Sequence, residues 1–482
     1  MTRSLYQIGL VVLGLFLLFS CEDERYLSSP DAQLRFSADT VMFDTVFSTM
    51  GSTTRMLKVF NPYKDKLLIS SVKVGGGEFS NFRLNVNGVA GNEIRDVEIP
   101  PNDSIFIFVE VTVDPNGQNL PMVVKDSIRF TTNFNEQVIP LIAWGQDFHL
   151  IKSATLKNET WKSDKPYLVY NYAYIDTLAT LTIEPGARIY FHKGAGLYVK
   201  GNIVANGTRD NPILFLADRL ETSYKNVPDQ WNGILLFSGS KGNQFSHCEI
   251  KNANIGLQVG TIEHEGFATA TLANTKIENM AYAGIFALKS KITAHNAVIA
   301  NCGFYAVALL VGGEYEFYHT TIANFWGGYS RKPRSTSSLA ISNILEVNNS
   351  EGKKVVFTGD LTKAHFGNSI IYGNNPLELQ LGNTKEKQFN YYFDHCILQV
   401  PDTFNLSDKN HYNNVLRGNK NDPRFVDISK NLNYELDTLS AAKDVGSAVY
   451  SKMFPYDLKG KDRTADKGPD LGAYERIEKK NR

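Results

Sequence analysis

TKIEN at residues 275–279 is the clearest copy of a short pattern that recurs along the chain. It returns around a central isoleucine as CEIKN (248–252), AVIAN (297–301) and TTIAN (320–324). The four isoleucines are 27, 22 and 23 residues apart. Repeats of roughly 20 to 50 residues indicate a solenoid, because one repeat buries its apolar face only by stacking on its neighbours.

Each position of the repeat has its own chemical character. Alternation along a strand places the isoleucine and the small residue two places earlier on the inward face. On the outward face, Glu249 would lie beside Lys276, and Lys251 beside Glu278. Three places before each isoleucine stands a polar residue suited to a turn, since Asn in particular tolerates left-handed backbone geometry. These residues are His247, Asn274, Asn296, His319, Asn368 and Asp394, the last two from copies centred on Ile371 and Ile397.

The spacing and the β-branched strands favour a right-handed parallel β-helix over residues 160–420, with about ten coils. A leucine-rich repeat is the rival, but its Leu-x-x-Leu-x-Leu signature is absent. The 49 residues between Ile322 and Ile371 leave room for one more turn through residues 339–343 and an insertion.

Both ends of this region resemble known bacterial β-helix proteins of the pectin-lyase-like fold. The first end carries LTIEPGARI (181–189), LYVKG (197–201) and WNGI (231–234). The other end, with DPRFVD (422–427), AKDVG (442–446) and DLGAYE (470–475), resembles the closing segment of the choice-of-anchor Q type. The resemblance implies that residues 421–482 cap the last coil and protect its open sheet edge.

Residues 33–148 show short alternating strands separated by turn sequences, which predicts an immunoglobulin-like β-sandwich. The segments VFNP (59–62), IPPND (99–103) and IAWGQ (142–146) resemble immunoglobulin-like domains of the ASH or major-sperm-protein type. The chain as a whole is therefore predicted to be all-β. Domains of that type act as spacers or binding modules, and this one shows no catalytic constellation.

The first twenty residues are predicted to be a lipoprotein signal peptide. Arg3 precedes an apolar run at 8–19, and twelve residues span only about 18 Å, which is too short to cross a membrane. LFSC (18–21) resembles a bacterial lipobox, which implies acylation of Cys21; an ordinary secretory signal is the alternative. EDER (22–25) resembles the surface-export signal of Bacteroidota lipoproteins, and residues 21–32 are predicted to be a tether. The expected location is the outer membrane, facing the cell surface, with a periplasm-facing position left open.

Composition excludes several classes of protein. Lys plus Arg and Asp plus Glu both number 50, so the chain lacks the positive excess of a nucleic-acid binder. It is 43% apolar and 21% charged, unlike a disordered chain. Four cysteines are too few for a disulfide scaffold, and we expect Cys248, Cys302 and Cys396 to be buried thiols.

No catalytic residue, metal site or cofactor is predicted. The best mixture of acidic and aromatic residues lies at 218–221 and 229–231, and we interpret it as loops between coils. A metal site at His247, His295 and His319 is disfavoured, because His247 and His319 would stand about 14 Å apart, whereas zinc ligands share one ion at about 2 Å.

The insertion FWGGYSRKPR (325–334) is the candidate glycan contact, because aromatic rings stack on sugars and cations meet acidic groups. The predicted contact residues are Trp326, Tyr329, Arg331, Lys332 and Arg334. The predicted function is non-catalytic surface display with glycan binding or adhesion, and the partners are the membrane, through Cys21, and a polysaccharide. A polysaccharide lyase or glycoside hydrolase, and a structural part of an envelope assembly, are the alternatives, and the oligomeric state is left open.

Overall fold

The computed structural model describes residues 25–115, 117, 122–262, 266–327, 333–429 and 431–478. The chain divides into two compact units, Met1–Asp147 and Phe148–Arg482. Within the described residues, the helices are too short and too polar to cross a bilayer. The predicted signal peptide and Cys21 lie outside the described residues.

The first unit is a β-sandwich of two five-stranded sheets, ordered β1-β3-β8-β5-β6 and β2-β10-β9-β4-β7. Its inward residues, such as Leu57, Ile69 and Phe130, are fully buried between the sheets. The strands are β1 (Arg35–Phe36), β2 (Val41–Phe47), β3 (Arg55–Phe60), β4 (Leu67–Val74), β5 (Phe82–Val86), β6 (Val89–Gly91), β7 (Glu93–Ile99), β8 (Ser104–Val111), β9 (Met122–Thr132) and β10 (Asn135–Gln146). The predicted sandwich is confirmed.

The second unit is dominated by one parallel sheet of 26 strands. The strands of this unit are β11 (His149–Leu156), β12 (Glu159–Trp161), β13 (Tyr167–Ile175), β14 (Thr180–Ile183), β15 (Arg188–Phe191), β16 (Gly196–Val199), β17 (Asn202–Asn206), β18 (Ile213–Ala217), β19 (Trp231–Leu236), β20 (Asn243–Ser246), β21 (Cys248–Lys251), β22 (Ala253–Val259), β23 (Thr269–Ala273), β24 (Lys276–Met280), β25 (Ala283–His295), β26 (Val298–Cys302), β27 (Tyr305–Tyr318), β28 (Thr321–Asn324), β29 (Leu339–Ser342), β30 (Ile344–Asn348), β31 (Lys354–Thr358), β32 (Leu361–Gly367), β33 (Ile370–Gly373), β34 (Leu379–Gly382), β35 (Phe389–Asp394), β36 (Ile397–Leu398), β37 (Tyr412–Asn413), β38 (Leu416–Arg417), β39 (Phe425–Asp427) and β40 (Asn433–Leu436). A short helix, α1 (Ala448–Met453), lies in the C-terminal segment.

The large sheet winds into a parallel β-helix with three faces. Strands pair with the third strand that follows, as β14 with β17, β15 with β18 and β16 with β19, so each coil contributes one strand to each face. Face 1 contains β14, β17, β20 and β23, the second halves of β25 and β27, then β32, β35 and β37. Face 2 contains β15, β18, β21, β24, β26, β28, β33, β36 and β38, and face 3 contains β16, β19, β22, the first halves of β25 and β27, β29 and β34. The sheet begins at His149, earlier than residue 160.

The file of stacked isoleucines runs along face 2 as predicted. Ile250 pairs with Ile277, Ile277 with Ile299, Ile299 with Ile322, and Ile322 with Ile371. All are buried. Two details of the predicted register are wrong. Ile371 pairs with Leu398 rather than Ile397, and residues 339–343 form no extra coil, because β29 lies on face 3.

The polar residues before each isoleucine form the corner between faces 1 and 2. They have positive φ angles, from 46° to 50°, at the residues His247, Asn274, Asn296, His319, Asn368, His395 and Asn414. Left-handed backbone is most easily reached by Asn and its polar relatives, which explains the composition of this column. His395 takes the corner position that the sequence assigned to Asp394.

The C-terminal segment runs along the side of the β-helix, which differs from the expected cap over the last coil. Phe425 packs on Phe325 and Tyr372, and Tyr434 packs on outward residues of β26 and β28. Further along, Asn296 donates to the Tyr456 carbonyl at 2.8 Å, and Arg209 contacts the Lys459 carbonyl at 3.3 Å. The segment therefore covers the outward side of face 2 from its later coils back to its early ones.

The two predicted charge pairs on face 2 are present. Lys276 lies 3.1 Å from Glu249, and Lys251 lies 3.3 Å from Glu278. Glu278 is nevertheless buried rather than exposed, because the C-terminal segment covers this part of face 2.

Candidate functional site

Face 1 presents a polar and aromatic surface that we call the open face. It consists of the outward side chains of Lys291, Thr293, Glu314, Glu316, Lys363, His365 and Tyr392. In-register stacking aligns them in two columns: Lys291, Glu314 and Lys363 in one, and Thr293, Glu316, His365 and Tyr392 in the other. With about 4.8 Å per coil, the second column spans roughly 14 Å along the β-helix.

Two ion pairs cross between neighbouring coils of the open face. Lys291 lies 2.9 Å from Glu314, and both side chains remain well exposed. Lys363 pairs with Glu316, which also accepts a hydrogen bond from the Tyr318 hydroxyl at 3.1 Å. Two cations and two carboxylates leave these four side chains without net charge.

A chain of hydrogen bonds orients His365 at the edge of the open face. The Tyr450 hydroxyl of α1 donates to Asp394 Oδ2 at 2.7 Å. Tyr450 has a single proton, so His365 Nε2, 3.0 Å from the same hydroxyl, is the donor in that contact. His365 Nδ1 then carries the lone pair. Burial, followed by the charge of Lys363, lowers the pKa of His365, which keeps the ring neutral.

Asp394 fixes the other end of this chain. It also accepts from Asn413 at 2.8 Å and contacts His395 Nδ1 at 2.7 Å. Burial alone would raise the pKa of Asp394, but the hydrogen bonds from Tyr450, Asn413 and His395 lower it overall. The carboxylate is therefore charged and holds Tyr450 in place.

A cleft of about 340 Å³ opens beside the ring of Tyr392. Its other lining residues include Lys363, His365, Asn390 and His411. His411 stacks on Tyr391 with 4.0 Å between ring centroids, and its Nδ1 contacts the Tyr391 carbonyl at 2.9 Å. The cleft thus combines aromatic rings with hydrogen-bond donors and acceptors, as sugar-binding surfaces require.

The other two faces are covered over the coils that carry the open face. The C-terminal segment packs on face 2, and the hairpin of β30 and β31 places Leu345 and Phe357 against apolar residues of face 3. Helix α1 covers only the margin of face 1, where Tyr450 stacks on Tyr318 at 5.2 Å. Over these coils, the described part of the chain leaves the two columns of face 1 accessible.

One carboxylate of the open face, Glu316, is suited to accepting hydrogen bonds rather than to donating a proton. Glu314 and Glu316 stand two residues apart on one strand, roughly 7 Å, which falls within the range used by glycoside hydrolases. Such catalysis also needs a protonated carboxyl group. Partial burial would raise the pKa of Glu316, but its contact with Lys363 lowers it overall. Glu316 is therefore ionised at neutral pH.

A larger cleft of about 640 Å³ lies between the corner turns and the C-terminal segment. His247 and His295 line it together with Arg209, Phe454 and Tyr456. His295 stacks on Phe454 at 4.2 Å, and burial, with the neighbouring His247 and Arg463, lowers its pKa to about 4. Burial also lowers the pKa of His247, and Arg209 already contacts the Lys459 carbonyl at 3.3 Å.

The predicted glycan-contact residues do not form one surface site in the described part of the chain. Arg334 is wrong as a contact residue, because its side chain is fully buried and lies 2.5 Å from the equally buried Glu378. Trp326 is half-buried, and its ring lies against Gly303. Tyr329, Arg331 and Lys332 lie outside the described residues.

The acidic loops between coils are engaged in local contacts. Asp218 lies 2.6 Å from His192 Nδ1, and Asp229 lies 2.9 Å from Lys193. Trp231 is buried and stacks on Phe191 at 4.0 Å.

Cys248, Cys302 and Cys396 are free and buried, as predicted.

The histidines of the corner column do not assemble with other ligands. Among the described residues, three or more His, Cys, Asp or Glu side chains nowhere meet in a way that could hold a metal ion. His319 is buried beneath the C-terminal segment, where it contacts Ser451 at 3.2 Å.

The open face was missed at the sequence level, although a signal for it exists. Its residues stand three and five places before a corner residue, as Glu316 and Glu314 stand before His319. The same count from Asn368 gives His365 and Lys363, and from Asn296 it gives Thr293 and Lys291. Extending the repeat backwards from the corner would therefore have predicted both columns.

Comparison with known proteins gives little further guidance. No family model matches the chain, and no curated protein matches it. A solved family 123 glycoside hydrolase from Clostridium perfringens is 8% identical over 27% of this chain and 30% of its own, with a TM-score of 0.18. The catalytic domain of a GH87 alpha-1,3-glucanase in complex with nigerose is 9% identical over 73% of this chain and 81% of its own, with a TM-score of 0.19. Likenesses this weak carry no argument about function.

Proposed function

We propose that this protein is an acylated lipoprotein of the outer membrane that binds glycan chains on the open face without cleaving them. The observation that carries the proposal is the arrangement of His365, Tyr392 and two ion pairs on the uncovered part of face 1. Attachment through Cys21 and display at the cell surface are predicted from the resemblance of residues 18–25 to lipoprotein signals. They remain part of the proposal.

The chemistry of the open face favours a neutral glycan. Tyr392 offers a ring for stacking, His365 Nδ1 accepts a hydroxyl hydrogen, and Thr293 both donates and accepts. The ion pairs supply charged partners for hydroxyl groups but no excess charge. A polyanion would gain little from such a surface, since each lysine already faces a carboxylate.

The test is a panel of neutral and acidic polysaccharides, offered to the non-acylated protein and scored for retention and for released products. We expect retention on at least one neutral polysaccharide and no product. Tyr392→Ala should weaken that binding about two- to thirteenfold, the range expected for loss of an aromatic contact worth roughly 0.5–1.5 kcal/mol. Lys354→Ala, in the exposed β30–β31 hairpin, is the matched control and should bind normally.

Three results would overturn the proposal. If the protein retains none of the polysaccharides, the structural role in an envelope assembly is favoured. Release of products would favour the lyase or hydrolase alternative. Equal binding by the Tyr392→Ala variant and the wild-type protein would move the glycan away from the open face.

A further inference from the structure

The hairpin between β9 and β10 carries a fully exposed phenylalanine at its tip. Asn133 and Phe134 form the two-residue turn with φ angles of 49° and 66°, and the Phe134 ring is accessible over its whole surface. Both residues are thus left-handed, as in a type I′ turn, where the second position usually holds glycine. A bulky residue there is disfavoured, so the aromatic ring is unexplained by the fold of the turn.

The tip lies at the end of the sandwich where the N-terminal tether arrives. Asn133 Nδ2 donates to the carbonyls of Leu27 at 2.7 Å and Ser29 at 3.0 Å. Cys21 stands four residues before Arg25, and an extended chain covers at most about 3.6 Å per residue. Chain length therefore keeps the predicted acyl group within about 14 Å of Arg25, which stands two residues before Leu27.

The same end of the sandwich carries further groups suited to a membrane interface. Tyr26 is 46% exposed, and Lys66 Nζ lies over its ring, 5.5 Å from the ring centroid. Arg25 and Lys64 are exposed. Aromatic rings of this kind settle at the boundary between lipid headgroups and acyl chains. The two cations are offset by the exposed carboxylates of Asp31 and Asp65, so the aromatic ring carries the argument.

We propose that this end of the sandwich rests on the lipid surface and that the Phe134 ring inserts to the boundary between the headgroups and the acyl chains. The inference rests on the proposed anchor at Cys21, which brings the tip to the membrane. A second contact of this kind adds to the membrane affinity that the anchor provides. Insertion also gives the exposed ring an apolar environment that the isolated sandwich does not supply.

Phe79 provides a matched control within the same sandwich. It is 99% exposed and ends a short turn, Gly77–Phe79, that follows β4. The tether meets β4 at its other end, where the Leu27 amide donates to the Lys66 carbonyl at 2.9 Å. The eight residues of β4 separate the two ends by about 23 Å.

The experiment uses the acylated full-length protein in phosphatidylcholine–phosphatidylglycerol vesicles, with Phe134→Trp and Phe79→Trp as variants. We expect the fluorescence added by Phe134→Trp to shift to shorter wavelength and to be quenched by brominated lipids. The fluorescence added by Phe79→Trp should keep its emission in water and escape quenching. Equal quenching of both variants, or of neither, would overturn the inference.

Sedimentation with vesicles separates this inference from the anchor on which it rests. The acylated wild-type protein should sediment with the vesicles, and Cys21→Ser should do so much less. If the wild-type protein sediments but Phe134→Trp is not quenched, the anchor stands and the contact of Phe134 is refuted. If the wild-type protein stays in solution, both are refuted.

Discussion

Replacement of Glu378 by glutamine should strongly destabilise the β-helix. Glu378 is fully buried and holds Arg334, whose guanidinium is equally buried at 2.5 Å. The carboxylate also accepts from the Ser338 amide and hydroxyl, both at 2.7 Å, and from the Asn375 amide at 2.8 Å. Glutamine keeps the shape but leaves Arg334 as a buried charge without a counter-ion.

The size of the effect follows from the cost of an uncompensated charge. Removing one partner of a buried ion pair typically costs about 3–5 kcal/mol. Part of that cost is relieved here, because Arg334 also donates to the Asn324 carbonyl at 3.0 Å and contacts Asn374 Oδ1 at 3.2 Å. We therefore expect the lower part of that range, about 3 kcal/mol, in the free energy of unfolding.

Urea denaturation followed by circular dichroism and tryptophan fluorescence measures this difference. Glu351→Gln is the control, because Glu351 pairs with Lys353 at 2.9 Å on the surface, where the two side chains are 65% and 76% exposed. Exposed pairs contribute about 0–1 kcal/mol. Equal stability of the two variants would refute the assignment of Arg334 to a buried structural pair. It would indicate that the Arg334 side chain is exposed instead.

Three further outcomes follow from the same structure. Ile299→Ala, in the buried file of face 2, should lower the free energy of unfolding measured in urea by about 2–5 kcal/mol. Thr293→Ala on the open face should change it by less than about 0.5 kcal/mol. Equal effects would contradict the assignment of inward and outward columns. Burial lowers the pKa of His295 to about 4, against 6.5 for the unfolded chain, so between these values the unfolded state binds the proton more strongly. This residue should therefore lower stability by up to about 1.4 kcal/mol per pH unit from pH 6.5 down to pH 4. His295→Gln should reduce the slope of the urea midpoints measured from pH 7 to pH 4 by that contribution, and an unchanged slope would contradict the burial of the ring. In the Cys21→Ser variant, Ellman's reagent should leave the three remaining thiols unreacted in the native protein and titrate all of them in guanidinium chloride, since Cys248, Cys302 and Cys396 are buried and burial raises the pKa of each. Rapid reaction of this native variant would place a thiol at the surface.

The repeat predicted face 2 accurately because its columns have distinct physical demands. An inward position beside stacked isoleucines accepts only apolar or small residues, and the corner accepts residues that tolerate positive φ. Both demands recur in every coil and so appear in the sequence as columns. The register was wrong at Ile397, because neighbouring apolar residues such as Cys396 and Leu398 fit the inward pattern when the strand is displaced by one place.

The insertion and the C-terminal segment could not be placed from the repeat. Arg334 reads as an exposed cation in a loop, and only the fold brings Glu378 to it from 44 residues away. The C-terminal segment has no periodicity of its own, so its path along face 2 depends on side chains such as Tyr434 that fit between coils. The open face consists of ordinary polar residues, and its significance comes from what the other segments leave uncovered.

Hydroxyl-radical footprinting of the protein with a retained polysaccharide tests the central claim most directly. We predict that the glycan reduces oxidation of Tyr392 and His365 on the open face, while Phe79 and Met453 keep their full reactivity. Both control side chains are exposed, at 99% and 55%, and neither belongs to the two columns of face 1. Protection elsewhere with unchanged oxidation of Tyr392 and His365 would contradict the account.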